Sequence, residues 1–231
     1  MGELSLAEKS TDGCVYSVVW IAWGKPRWRA RILLPASRDS AARLLAGCAR
    51  GERETAILVA KEGWRLPEGF EAEAQSVVYF WDLSRLRLLE PNGDVEVEVL
   101  KDWGEAEERE FEAVMRRSWG FYRAPRRGDH LVVLARLEGT AVGLTYLNRR
   151  NYNLDYGVHV VREYWRRRIG TRVLSEALSV ARELGAHYVS VVRVYRKVGG
   201  TAADRRASSF YRANGPRWRY VVYRVRQAGR S

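Results

Sequence analysis

Between Leu154 and Tyr195 the hydrophobic period of the chain changes twice. Leu154–Val161 reads as a strand. From Gly170 the apolar residues Val173, Leu174, Ala177, Leu178, Ala181 and Leu184 recur at helical spacing, which marks one core face. Gly185 ends that helix, and Tyr188–Tyr195 is again strand-like and rich in valine. A strand, a helix and a second strand in this order form a crossover, so the fold class is α/β with a mixed sheet.

The flanking segments extend this order. Val95–Leu100 alternates apolar and acidic residues, as a half-exposed strand does. A helix follows from about Glu105 to Trp119, with Glu105, Glu107 and Glu108 at its start and Arg116 and Arg117 at its end, matching the helix dipole. Leu131–Leu137 and Ala141–Asn148 are strands joined by the turn Glu138-Gly139-Thr140. Ala202–Asn214 is a helix stopped by Gly215-Pro216, and Trp218–Val225 is the last strand. Before Pro91-Asn92-Gly93, a turn signal taken as a domain boundary, the order is hairpin (Val15–Trp23, Trp28–Leu34), helix, strand (Thr55–Ala60), loop and strand (Ser76–Asp82). Ser37 or Asp39 can cap that helix, which runs through Ala41, Leu44 and Leu45. The expected domains are therefore 1–93, a small α/β unit, and 94–231.

Charge divides the same way. Residues 94–112 carry a net −7, which a helix N-terminus and one strand face account for, and residues 113–231 carry +18 within a chain total of +12. So basic a segment fits nucleic acid, a compact polyanion such as a nucleotide cofactor, or a solvated arginine-rich surface. Thirty-five arginines against five lysines, with only 11 Asn, Gln, Cys and Met together, agree with a thermophile or a GC-rich genome. The longest nearly uncharged apolar run, Cys14 to Trp23, has ten residues, too few to span a bilayer. The start MGELSLAEKS lacks signal-peptide character, so a cytoplasmic chain without a membrane is expected. Two cysteines make neither a disulfide framework nor a four-ligand zinc site, and no metal is expected.

The chemistry concentrates in two segments. Between the strand ending near Val161 and the helix opening at Gly170 lies a basic loop with Arg166, Arg167 and Arg168; Arg172 follows in the helix. Backbone N–H groups at a helix start lack intrahelical partners and, with the dipole, bind anions, so a pyrophosphate suits this position. The second segment, Asp204 to Gly215, places Ala207, Phe210, Tyr211 and Asn214 at helical spacing, with Phe210 read as a core aromatic.

Together the two segments resemble the GNAT superfamily of acyl-CoA-dependent N-acyltransferases. The family's Gln/Arg-x-x-Gly-x-Gly/Ala falls on Trp165-Arg166-Arg167-Arg168-Ile169-Gly170, where Trp165 and Arg168 depart from the pattern. The family's Asn-x-x-Ala-x-x-Phe-Tyr-x-x-x-Gly falls on Asp204-x-x-Ala207-x-x-Phe210-Tyr211-x-x-x-Gly215, with Asp for Asn the one departure. The resemblance covers about 94–228 and implies a twisted mixed sheet flanked by helices, with a smaller N-terminal α/β domain that loosely echoes half of such a fold.

The resemblance further implies that the fourth and fifth strands splay apart around pantetheine. Val158, His159 and Val160 would line the arm, and Arg166, Arg167, Arg168, Ile169, Gly170 and Thr171 would wrap the pyrophosphate. Acetyl would pass from acetyl-CoA, as co-substrate, directly to a small-molecule or peptide amine. A backbone N–H near Val160 would hold the oxyanion, and Tyr211 would give a proton to the thiolate. A phenol with pKa ~10 is protonated at neutral pH, whereas the departing thiol has pKa ~8.5. Asp155 is the candidate carboxylate base; Glu163 reads as structural, His159 as packed into the sheet, and water can take the proton instead. Asp204 reads as a tie between its helix and the fifth strand. Residues 1–93 would shape the acceptor site or a dimer contact. Nucleic acid is the partner that the basic half allows.

Overall fold

A computed structural model describes residues 2–22, 25–48, 54–195 and 201–228. They form two compact units that are interleaved in sequence rather than divided at residue 93. One holds residues 1–78, 194–202 and 219–231, and the other holds 79–193 and 203–218.

In the first unit, β1 (Gly2–Ser10), β2 (Gly13–Ala22) and β3 (Lys25–Pro35) form an antiparallel meander. The tip of the expected hairpin, residues 23–24, lies outside the described residues. Ser37 caps α1 (Arg38–Cys48), its hydroxyl accepting the Ser40 N–H at 3.1 Å. This helix carries the chain to β4 (Glu54–Lys61), which pairs parallel to β3. Ala41 and Leu45 of the helix pack with Val15, Leu33 and Leu58 of the strands. β5 (Phe70–Asp82) begins here, six residues before the expected strand, and β11 (Trp218–Gln227) lies antiparallel to β4.

The second unit holds β6 (Glu96–Leu100), α2 (Glu105–Trp119), β7 (His130–Leu137), β8 (Thr140–Asn148) and β9 (Leu154–Val160). The four strands form an antiparallel sheet in the order β6-β7-β8-β9. Next come a 3-10 turn at Arg162–Tyr164, α3 (Ile169–Glu183), β10 (Tyr188–Val194) and α4 (Ala202–Ala213). Successive residues of a strand face opposite sides. On β8, Gly143 faces Ile169 and Val173 of α3, while Leu144 and Tyr146 pack with Phe111 and Met115 of α2. The two helices therefore cover opposite faces.

The acidic stretch and the arginines meet here. Arg136 lies 2.6 Å from both Glu98 and Glu110, Arg116 pairs with Glu112 at 2.7 Å, and Arg127 pairs with Asp102. Much of the −7 segment is thus spent on neighbouring arginines, in addition to the helix N-terminus that the sequence already implied.

Candidate active site

β9 is the strand on which the site is built. Its register on β8 slips between Leu144 and Tyr146. Tyr156 (φ 65°) and Gly157 (φ 84°) take up the extra length in the left-handed region, and the Thr145 hydroxyl donates to the Gly157 carbonyl at 3.0 Å. A residue other than glycine is strained there, so Tyr156 is held out at a cost. It is 42% exposed and lies beside Trp119, which also packs on the exposed Phe121.

Beyond the bulge the direction of each backbone group follows from one bond. The Val161 N–H donates to Val142 on β8 at 2.9 Å. By alternation His159 also points its backbone at β8, and Val158 and Val160 point theirs away from it. On that outer side β10 meets the chain at a single parallel bridge, Asn153 to Ser190, just before β9 starts. Past this bridge no described strand pairs with β9, and the two strands splay.

Two side chains occupy the open edge. The Tyr211 hydroxyl accepts the Val158 N–H at 3.0 Å. The Trp165 indole donates to the Val160 carbonyl at 2.8 Å. Tyr211 is only 2% exposed, packed against Tyr79 and Trp81, and burial raises its phenol above the ordinary range. It therefore holds its proton firmly. Because its oxygen accepts from Val158, the proton remains free for another acceptor. Phe210 is half-buried and rests on the first turn of α3, where a Cβ on Gly170 would meet its ring at 3.0 Å. Gly215, with φ 58°, lets the chain pass Arg87, whose carbonyl would lie 2.2 Å from a Cβ. Asp204 is buried and meets Arg193 of β10 at 3.7 Å, so it ties α4 to that strand.

The first turn of α3 has no side-chain cap. Arg168 stands at its N-cap in the left-handed region (φ 56°), the conformation a glycine would adopt there, and Arg166 is left-handed too (φ 63°). Arg168 does not point into the turn: its guanidinium lies 3.3 Å from the Glu90 carbonyl and 3.6 Å from the Glu90 carboxylate. Arg166 and Arg167 are exposed, Ile169 and Thr171 are buried, and Arg172 pairs with Glu176 at 3.1 Å.

The other sequence-derived candidates are more constrained. His159 is buried under α2. Its Nε2 lies 3.1 Å from the Tyr156 carbonyl, its Nδ1 lies 3.0 Å from the Ser118 hydroxyl, and desolvation lowers its pKa to about 4. Its side chain faces α2, away from the open edge. Asp155 accepts from Asn153 at 2.6 Å, Asn148 at 3.0 Å and His130 at 2.8 Å. The Arg126 N–H donates to His130 Nδ1 at 2.7 Å, so Nε2 carries the His130 proton. Burial works to raise Asp155, but these hydrogen bonds win and hold its pKa below the ordinary value. Such a carboxylate is a poor base. Glu163 pairs with Arg117 at 3.4 Å.

The model of the acetyltransferase (GNAT) family matches residues 94–214, more than half of the chain. The chain belongs to this GNAT family. No curated protein matches the sequence. Among solved structures, a GCN5-related N-acetyltransferase from Kribbella flavida is 14% identical, with 99% of this chain and 90% of that one covered at TM-score 0.49. A GCN5-related N-acetyltransferase from Sphaerobacter thermophilus is 15% identical, covering 93% and 77% at 0.49. The C-terminal DUF2156 domain of a proposed lysylphosphatidylglycerol synthetase from Agrobacterium fabrum is 12% identical, covering 97% and 84% at 0.50, a likeness of fold. GNAT membership supports an acyltransferase with an acyl-CoA co-substrate. The residues fit such a group: a strand edge unpaired on its outer side and an uncapped first turn of α3 follow one another along the chain. No helix of the described residues is long and apolar enough to cross a membrane.

Sequence reasoning missed three things: Trp165 on the strand edge, His130 behind Asp155, and the exposed Tyr156. For the last a signal existed, since a glycine inside a strand often marks a bulge.

Proposed function

We propose that this chain transfers an acetyl group from acetyl-CoA directly to a primary amine on a small molecule or peptide. The observation that carries this reading is the Tyr211 hydroxyl lodged against the Val158 N–H at 3.0 Å, on the unpaired side of β9.

The Val158 carbonyl and the Val160 N–H point into the splay and suit an amide-bearing arm, which would add to the edge as a strand does. The Val160 N–H is the donor for the thioester oxygen as it gains negative charge. Gly170, Thr171 and the exposed Arg166 and Arg167 suit a pyrophosphate at the α3 turn. Tyr211 donates a hydrogen bond to the departing sulfur. Its raised pKa favours stabilising the thiolate by that bond over completing the transfer. With Asp155 committed to three donors, the amine's proton passes to water and Asp155 acts as a positioning group. An α-amine, with pKa ~7.7–8, needs less help than a lysine at ~10.4.

Calorimetry with acetyl-CoA tests the reading at protein concentrations that reveal micromolar binding. Heat of binding is expected, and its absence overturns the proposal. Tyr211→Phe should then lower turnover about 100-fold while acetyl-CoA affinity stays within about twofold. Equal turnover would remove Tyr211 from the chemistry.

A further inference from the structure

The open edge of β9 is not bare. Of its four outward backbone groups beyond the bulge, the first (Val158 N–H) is held by Tyr211 and the last (Val160 carbonyl) by Trp165. A chain lying along this edge toward the α3 turn reaches the Val160 carbonyl and finds the indole N–H already there. Trp165 is extended (φ −63°, ψ 155°) and immediately precedes the left-handed Arg166, so a short backbone turn aims its ring back at the strand it has just left. The other side of the ring is under Arg206 of α4, whose guanidinium carbon lies 5.0 Å from the ring centre. Arg206 is one helical turn before Phe210, which covers Gly170. The ring is nonetheless 40% exposed, so nothing buries it in place.

We infer that Trp165 is a binding residue that tunes how tightly the acyl donor's arm is held: its indole N–H competes with an amide N–H of the pantetheine arm for the Val160 carbonyl. The inference rests on the acyl-CoA reading above. Indole is only a donor, as is an amide N–H, so the two are interchangeable on one carbonyl oxygen. In the wild type one hydrogen bond is lost for each one gained there, and the arm's amide adds little net affinity. The nucleotide end, seated at the α3 turn, is indifferent to this exchange. Trp165 therefore sets how much of the binding comes from the arm.

Trp165→Phe keeps an aromatic ring under Arg206 and removes the competing donor. A net hydrogen bond is worth about 0.5–1.5 kcal/mol, so CoA should bind about two- to twelvefold tighter by calorimetry. The arm-less nucleotide 3′-phospho-ADP should bind the variant and the wild type equally, within about twofold. Trp165→Leu, which removes ring and donor together, should shift the two ligands in the same unequal way, and its melting curve shows whether the fold is intact. If CoA affinity is unchanged or weaker in both variants, or if both ligands shift alike, the inference is overturned while the acyl-CoA reading stands. If the wild type binds neither ligand, both fall together.

Discussion

The two ends of β9 are partnered differently. At the closed end, Asp155, Asn148, Asn153 and His130 saturate one another with hydrogen bonds, and the Asn153–Ser190 bridge joins the neighbouring strand. At the open end, five residues on, the outward backbone groups face no described strand and are met by a phenol and an indole. The bulge at Tyr156 and Gly157 separates them. The closed end is built to stay shut, because a broken contact there strands a buried polar group. The open end offers groups that a ligand can take over one for one.

This contrast can be broken first at the closed end. Asp155→Ala leaves the His130 Nε2–H, in a side chain 2% exposed, without its acceptor. Urea unfolding should show a loss of roughly 3 kcal/mol. A loss below about 0.5 kcal/mol would mean that the polar cluster does not hold the strands together.

Acid tests both sides of the bulge by titration. His159 is neutral in the fold, with its pKa lowered from 6.5 to about 4. The unfolded chain binds the proton first, so this contribution is complete above pH 6.5 and declines as the pH falls toward 4. A shift of that size corresponds to at most about 3 kcal/mol. Asp155, with its pKa below 3.8, adds a second loss at still lower pH, as the fold must then surrender its carboxylate. Melting temperatures of wild type and His159→Gln should converge in slope below pH 4 and differ in slope between 4 and 6.5. Parallel curves throughout would contradict a neutral buried imidazole.

The smallest effect is expected beyond the open end. Arg168→Glu replaces a cation with an anion near the α3 turn and opposes Glu90. CoA affinity should drop about fivefold at low salt, less at high salt, with folding preserved. Unchanged affinity would place Arg168 away from the phosphates.

Much of this was readable in advance where the signal is local. The face of α3, the acidic start of α2 and the β7–β8 hairpin follow from spacing and turn residues, and they appear within a residue or two of expectation. Less was readable where polarity masks a strand. β1 escaped because its sequence mixes charge and leucine, although the turn residues Asp12-Gly13 follow it, and the early start of β5 escaped although Phe70, Ala72 and Ala74 alternate with Glu71, Glu73 and Gln75 as in a half-exposed strand. The motif around Tyr211 could be matched residue by residue, but not the atom its hydroxyl would touch. Asp155 looked like an available carboxylate because His130, 25 residues earlier, is no neighbour in the sequence.

Spacing and turn residues define the order of elements from β6 to β11, the basic turn before α3 and the family pattern, since these depend on residues close together along the chain. Which backbone groups of β9 are open, and that Tyr211 and Trp165 stand on them, follows from the folded arrangement alone. Those contacts join residues up to 53 apart, and they exist because a bulge and a splayed strand leave backbone groups that some donor or acceptor must satisfy.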